Sequence, residues 1–369
     1  MGSGDTGLGF VGNGGWNCVN GGVGLNSFSG NKLCAVKKND GVGFLKSRAG
    51  SQRKYGMFAV KKEFKRLEDN VEGEMFVDSS CIDCDTCRWM APNTFARAHG
   101  LSYVHTQPST ENPEDRLDAF RAMISCPTSS IRLEKPRTST QLSDIQKASS
   151  AIPYAISSST PDVLINGYKE KMSFAATSYT VRSNKETNSP SYIVDVPRFT
   201  KALGKQILAA LGGESPKYMF LSHRDDVGEH YRWAELLGVQ RIIHEKDVSS
   251  RDRTNECEIQ LTGDGPWKLW DGAEIIAVPG HTAGSIMLYD EYRKVVFTGD
   301  HVAFSGGLNK LTGFPRYNWY SLKEQMRSME KLLDLDFEWL CPGHGRMRHY
   351  ENVEVKNREF LQLLSESNT

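Results

Sequence analysis

Three cysteines, Cys81, Cys84 and Cys87, stand at Cys-x2-Cys-x2-Cys spacing. A loop with that spacing can wrap its sulfurs around one inorganic iron-sulfur cube, and thiolate is the soft ligand that such a cube needs. A fourth sulfur is required. Cys126, followed by Pro127, supplies it after a stretch of helical pattern that can return the chain to the loop. Four thiolates also suit a zinc ion, although zinc sites normally arrange them in paired Cys-x2-Cys arms. The eight cysteines of this 369-residue chain are clustered rather than spread as a disulfide framework, so reduced thiols are expected. Cys257 and Cys341 read as small apolar side chains, and Cys18 and Cys34 receive no role.

A second set of donors lies downstream. It comprises His223, Asp225 and Asp226 after Leu221, His281 in Pro279-Gly280-His281-Thr282-Ala283-Gly284, Asp300 after Gly299, and His344 between Gly343 and Gly345. Imidazole and carboxylate bind zinc or iron, and a neighbouring glycine lets a tight turn aim a ligand inward. Such an ion generates a nucleophile from water near neutral pH, which makes metal-assisted hydrolysis the first reaction class to consider. Asp225 is the candidate catalytic group that would orient or deprotonate the water. His244 and His349 read as surface or loop histidines, and His301 as a neighbour of the site rather than a ligand.

The elements that must hold these residues fall into two blocks. The first, residues 69–135, opens with a short strand at Glu74-Met75-Phe76-Val77-Asp78. It continues with a helix capped at Asn112-Pro113-Glu114-Asp115 that ends just before Cys126. Residues 136–160 are rich in Ser, Thr and Ala and read as a linker. The second block, residues 161–369, alternates short β-branched runs (192–195, 218–221, 241–244, 274–278, 285–289 and 294–297) with helices expected after Phe199, Val227 and Ser321 and near the carboxyl end. Trp233, Leu236 and Leu237 are core candidates by helical spacing. The alternation indicates layered sheets and helices.

The text from Val77 to Cys87, with Ala91-Pro92-Asn93-Thr94-Phe95 and Ser125-Cys126-Pro127, resembles the single-cluster 4Fe-4S ferredoxins. Ala91 occupies the position where two-cluster ferredoxins have their next cysteine. The resemblance implies a small α+β electron-transfer module that exchanges one electron at low potential. The second block resembles the metallo-β-lactamase superfamily, which implies a four-layered αβ/βα sandwich with one or two zinc or iron ions at one end. The family's first motif, His-x-His-x-Asp-His, aligns with Leu221-Ser222-His223-Arg224-Asp225-Asp226. Its first imidazole is thus replaced by Leu221 and its last by Asp226, whereas His281, Asp300 and His344 match the later motifs. By this resemblance one metal position keeps His223 and His281, and the other has Asp225, Asp226 and His344, with Asp300 able to bridge. The exchange of imidazole for carboxylate moves preference from zinc toward iron or manganese. His230, four residues after Asp226 on a starting helix, can replace the lost imidazole or orient Asp226. A site that has lost its metal is the competing reading.

Lys and Arg number 45, as do Asp and Glu, so the chain lacks the long-range field expected of a nucleic-acid or anionic-membrane binder. Neither partner is expected. No apolar run approaches the ~18 to 20 residues that span a bilayer. Residues 1–58 are rich in Gly, Asn and Ser, poor in acids and basic toward their end, as an organelle transit peptide is; a plastid location is favoured over mitochondrion or cytoplasm. Three functions follow as expectations. The first is a hydrolase of thioesters, lactones or phosphoesters, its small-molecule substrate unspecified. The second is a redox enzyme whose cluster takes electrons from a donor protein and feeds them to a non-haem iron. The third is a non-catalytic redox or iron sensor.

Overall fold

Cys81, Cys84 and Cys87 lie in and just after a loop that links a strand to a helix, in the computed structural model, which describes residues 64–366. The leader expected over residues 1–58, with Cys18 and Cys34, lies outside the described residues. β1 (Met75–Val77) pairs antiparallel with β4 (Ile131–Leu133), and α1 (Thr86–Met90), β2 (Phe95–Ala98), β3 (Leu101–Val104) and α2 (Pro113–Ser125) lie between them in sequence. α2 begins at Asn112, whose side chain accepts the Asp115 N–H at 3.3 Å, and has Pro113 at its first position, as the sequence predicts. Its last turn delivers Cys126 as the residue after the helix. Met75, Phe95, Val104, Ala119 and Phe120 form the core beneath the cysteines.

Residues 136–160, expected as a linker, are folded. Thr138 caps α3 (Ser139–Ser150): its hydroxyl accepts the Gln141 N–H while the Gln141 side chain accepts the Thr138 N–H. α3 packs on α2, and Ala148 joins the core of the cysteine-bearing region. The polar composition that reads as a linker is that of a helix exposed along most of its surface. β5 (Tyr154–Ser157) then enters a sheet.

That sheet has seven strands in the order β11-β10-β9-β8-β7-β6-β5. They are β6 (Thr160–Ile165), β7 (Tyr179–Val181), β8 (Tyr192–Val194), β9 (Tyr218–Phe220), β10 (Gln240–His244) and β11 (Ile259–Leu261), with β8 to β11 parallel. A second sheet runs β12-β13-β14-β15-β18-β19. It contains β12 (Trp267–Trp270), β13 (Ala273–Ala277), β14 (Ile286–Asp290), β15 (Val295–Gly299), β18 (Trp339–Pro342) and β19 (Arg348–His349); β16 (Ala303–Ser305) and β17 (Lys310–Thr312) form a separate hairpin.

Strands buried on both faces read as unbroken apolar runs, and these do. Ile275, Leu288, Val295 and Phe297 point into the layer between the sheets, meeting Val194, Phe220 and Ile242. Their neighbours Ile276, Met287 and Val296 point the other way, onto Met329 of α6 (Leu322–Met329) and Phe360 of α7 (Val353–Glu366). Ile193, Met219 and Ile243 cover Leu203 and Ile207 of α4 (Lys201–Ala210) and Trp233 of α5 (His230–Leu237). The layers are therefore helix, sheet, sheet, helix. Trp233 and Leu237 are buried as expected, but Leu236 is 40% exposed because it sits at the rim of the α5 stripe. No helix among the described residues is long and apolar enough to cross a membrane.

The cysteine-bearing region and the sandwich belong to one compact unit. Arg198 donates to the carbonyls of Ile124 at 3.0 Å and Cys126 at 3.3 Å, and Gln206 of α4 donates to Ser149 O at 2.6 Å. Thr138→Ala should lower the unfolding free energy by about 1 kcal/mol through loss of the α3 cap. The shift is measurable as a lower urea midpoint, and an unchanged midpoint would mean that α3 contributes nothing to the folded unit.

Candidate metal centre and cluster site

Strand direction gathers the donors. β13 and β15 both run antiparallel to β14, and β18 runs parallel to β15, so the carboxyl ends of β13, β15 and β18 lie at one edge of the second sheet. His281, Asp300 and His344 follow those ends, and His223 follows β9 of the facing sheet. Gly343 N–H donates to Gly299 O at 2.8 Å, which sets the Asp300 and His344 turns side by side. At Gly343 a Cβ would lie 2.7 Å from Asp300 Oδ1 and 3.3 Å from Asp226 Oδ2. Gly299 has φ of 50°, and a Cβ there would strike the Ser222 hydroxyl at 2.5 Å.

Asp300 is central. Its Oδ2 lies 3.8 Å from His223 Nε2, 3.8 Å from His281 Nε2 and 3.5 Å from His344 Nε2. Asp225 Oδ2 is 3.3 Å from His281 Nε2 and 3.9 Å from His223 Nε2, while Asp226 Oδ2 is 3.9 Å from His223 Nε2 and 3.7 Å from His344 Nε2. Asp225 thus groups with His223 and His281, not with Asp226 and His344 as expected. Across the short helical turn at Arg224–Asp226 the two adjacent carboxylates take different partners beyond His223, Asp225 meeting His281 and Asp226 meeting His344. Asp225 is also the most exposed of the six, at 38% of its side chain. Leu221, where the family's imidazole would stand, is buried in the core against Trp233 and Ile243.

These donors fit a metal. His223 Nε2, both nitrogens of His281, Asp226 Oδ2 and Asp300 Oδ1 are buried without a hydrogen-bond partner, and such atoms are costly unless something binds them. Two sets, His223-Asp225-His281 and His223-Asp226-Asp300, have ligand atoms within 4.8 Å of one another. Ser222 Oγ lies 3.0 Å from His223 Nδ1, which leaves Nε2 to face the carboxylates. Burial opposes charge on His344, but Asp300 and Asp226 outweigh it and raise its pKa to about 9. Burial likewise opposes charge on His223, and Asp226 and Asp300 raise it. Asp300 is itself raised by burial. A divalent ion bound among these groups would compensate the carboxylates in place of protons.

Two residues that no spacing in the sequence reveals hold the loops. Asp247 accepts from Arg224 N–H at 3.0 Å, from the Thr282 hydroxyl at 2.6 Å and from Gly284 N–H at 3.0 Å, which ties the His223 loop to the His281 loop. Buried Asp195, raised to about 7 by burial and by Asp226, accepts from Ser222 N–H at 2.8 Å. His230 neither ligates nor orients Asp226: its Nε2 meets Asp252 O at 3.0 Å and its Nδ1 meets Arg241 at 3.1 Å. His244 is buried, not a surface residue, and bonds Gly263 O at 2.9 Å.

The thiols of Cys84, Cys87 and Cys126 come together as well. Cys81, Cys84, Cys87 and Cys126 are all free, and Cys84, Cys87 and Cys126 are close enough to act on one another electrostatically. Burial pushes the thiols of Cys84 and Cys87 up, so thiolates there need a bound cation. Among the described residues the four sulfurs form no set within 4.8 Å. A lone zinc with Zn–S of about 2.3 Å would need one, whereas a cube spreads its ligands. One cleft of 1480 Å³ has both Cys84 and the donors Asp225, His281, Asp300 and His344 in its walls.

Residues 77–133 match the model of the 4Fe-4S single cluster domain of Ferredoxin I, and residues 268–344 match that of the metallo-beta-lactamase superfamily. The chain carries a 4Fe-4S ferredoxin domain and a metallo-beta-lactamase domain. The second match takes in His281, Asp300 and His344 and excludes the altered motif at Leu221. Hydroxyacylglutathione hydrolase GloC of Haemophilus influenzae is 42% identical over 95 residues, 26% of this chain and 42% of that protein. Beta-lactamase-like protein 2 homolog of Caenorhabditis elegans is 26% identical over 188 residues, 47% of this chain and 59% of that protein. The chain thus spans less than two thirds of the length of either. The VMB-1 crystal structure at pH 5.5 aligns with 57% of this chain and 96% of its own at 18% identity and a TM-score of 0.42.

Because the pKa of His344 in the folded, metal-free metallo-beta-lactamase domain lies above the 6.5 of an ordinary imidazole, its proton stabilises the fold. That contribution is complete below pH 6.5 and is lost as pH rises through about 9. The urea midpoint of chelator-treated protein should fall across this window, and His344→Gln should flatten the fall.

Proposed function

We propose that the metallo-beta-lactamase domain is a metal-dependent hydrolase, with thioesters, lactones or phosphoesters as its substrate class. The observation that carries this reading is the convergence of three imidazole Nε2 atoms on Asp300 Oδ2, at 3.5 to 3.8 Å, where His223 Nε2, His281 Nε2 and Asp300 Oδ1 are buried without a hydrogen-bond partner. His223, His281, Asp225, Asp226, Asp300 and His344 would hold one or two zinc or iron ions. Bound there, an ion supplies a hydroxide nucleophile near neutral pH and polarises the scissile oxygen.

The chain's own residues do the rest. Asp225, on the open side of the set, accepts the proton of the attacking water. Burial tends to raise its carboxyl, but the neighbouring His281 and His223 hold it low, so it is ionised and ready to accept. Asp247 and Asp195 fix the loops, so the acceptor and the imidazoles keep their spacing. The similarity to a hydroxyacylglutathione hydrolase over 95 residues favours the thioester member of the class.

A second reading has its own observation. The cleft that exposes the metal donors also exposes Cys84, which suits a redox enzyme with iron in the His/Asp set and the cluster as its electron source. A donor protein that reduces the cluster, and delivery to a plastid by residues 1–58, belong to this reading.

Protein purified without oxygen should contain iron and sulfide for one cluster plus additional zinc or iron, measured by elemental analysis. Asp300→Ala should lose the additional metal and keep the cluster. Asp225→Asn should keep most of the metal and lower kcat for thioester hydrolysis by roughly 100- to 10,000-fold. Zinc with hydrolysis supports the first reading and iron without hydrolysis the second; wild-type protein with no metal beyond the cluster would sink both.

A further inference from the structure

Lys169 touches elements that carry both ligand sets and belongs to neither set. It is 4% exposed, and its Nζ donates to Thr177 Oγ1 at 2.6 Å and to Ala175 O at 3.1 Å. The ammonium also stands 5.4 Å from the centre of the Trp89 ring, on α1, two residues after Cys87. Thr177 N–H donates to Gly343 O at 2.6 Å, and Gly343 adjoins His344 and leaves no room for a side chain beside Asp300 and Asp226. One buried cation is thus held against the helix of the cysteine loop through Trp89 and against the His344 turn through Thr177.

A buried ammonium is costly when its only hydrogen-bond partners are neutral oxygens, unless nearby anions compensate it. The carboxylates of Asp226 and Asp85 supply such anions, and Cys84 would add a thiolate once it holds a cluster. Burial lowers the pKa of Lys169, while Cys84, Asp226 and Asp85 act in the other direction, leaving it at about 8, so the group keeps its proton at pH 7. The same charge opposes protonation of His344.

We propose that Lys169 is an electrostatic coupling residue shared by the two centres: its ammonium favours the reduced, more negative state of the thiolate-ligated cluster and opposes occupancy of the His/Asp set by a divalent ion. This rests on the proposed reading in which the four thiols hold a cluster and the His/Asp set holds a metal. A single fixed charge acting on both sites makes a signed statement. Its removal should lower the reduction potential of the cluster and tighten metal binding, whereas a packing defect would be expected to loosen metal binding.

The test uses the full chain, purified without oxygen, as wild type, K169M and K169R. Redox titration followed by electron paramagnetic resonance reads the cluster, and chelator competition with zinc reads the other site. K169M should show a lower midpoint potential and zinc binding tighter by several-fold, and K169R, which keeps the charge, should stay near wild type in both. Wild-type values in K169M, or equal displacement in K169M and K169R, would overturn the proposal. Should K169M fail to retain its cluster, its zinc affinity is compared with that of wild type stripped of its cluster: tighter binding supports the proposal, and equal or looser binding overturns it. Wild-type protein with no reducible iron-sulfur signal would remove the cluster reading itself, and the proposal with it.

Discussion

The metallo-beta-lactamase domain is organised around an electrostatic demand at one edge of its sheets. Three imidazoles and three carboxylates are packed at the wall of a cleft, and several of their atoms are buried without a hydrogen-bond partner. The surrounding structure holds the donors in place through the parallel pairing of β15 with β18, the missing side chain at Gly343, and the carboxylate of Asp247 across two loops. A fold that spends this much local structure on unsatisfied donors is organised for an ion.

How much of this was legible in the sequence follows from the range of each signal. Donors flanked by glycine after apolar runs announced themselves, because turn chemistry and strand ends are local properties; His281, Asp300 and His344 are of this kind. The four cysteines were legible for the same reason, since three sit in one loop and the fourth ends a helix with a clear amino-terminal cap. The division of Asp225 from Asp226 was not, because a short helical turn rather than a strand decides where adjacent side chains point. His230 misled by its helical spacing: the i to i+4 relation holds only within a continuous helix, and α5 starts at His230 itself. Asp247 and Lys169 were invisible, because what makes them matter is contact with residues 23 to 37 positions away or with a different domain.

The ferredoxin and metallo-beta-lactamase domains share more than a chain. The guanidinium of Arg198 meets the carbonyls at the end of α2, next to Cys126, and Arg346 beside the metal turn reaches Asp85 in the cysteine loop at 3.4 Å. Trp89 packs against the layer between the sheets. The ligand loops of the two centres are therefore braced by overlapping sets of contacts, which suits chemistry in which the state of one is felt by the other.

The place of β5 has a consequence for how such a protein can be assembled or taken apart. The strand comes directly after α3, which packs on the ferredoxin side, yet it is the outermost member of a sheet in the other domain. A cut at the apparent seam between the two family segments would strip that strand and leave β6 with an open row of amide and carbonyl groups, a template for intermolecular association. The two modules are thus stitched together at a sheet border, and a shortened version of the larger one would be prone to aggregate unless it kept residues that composition alone would have discarded.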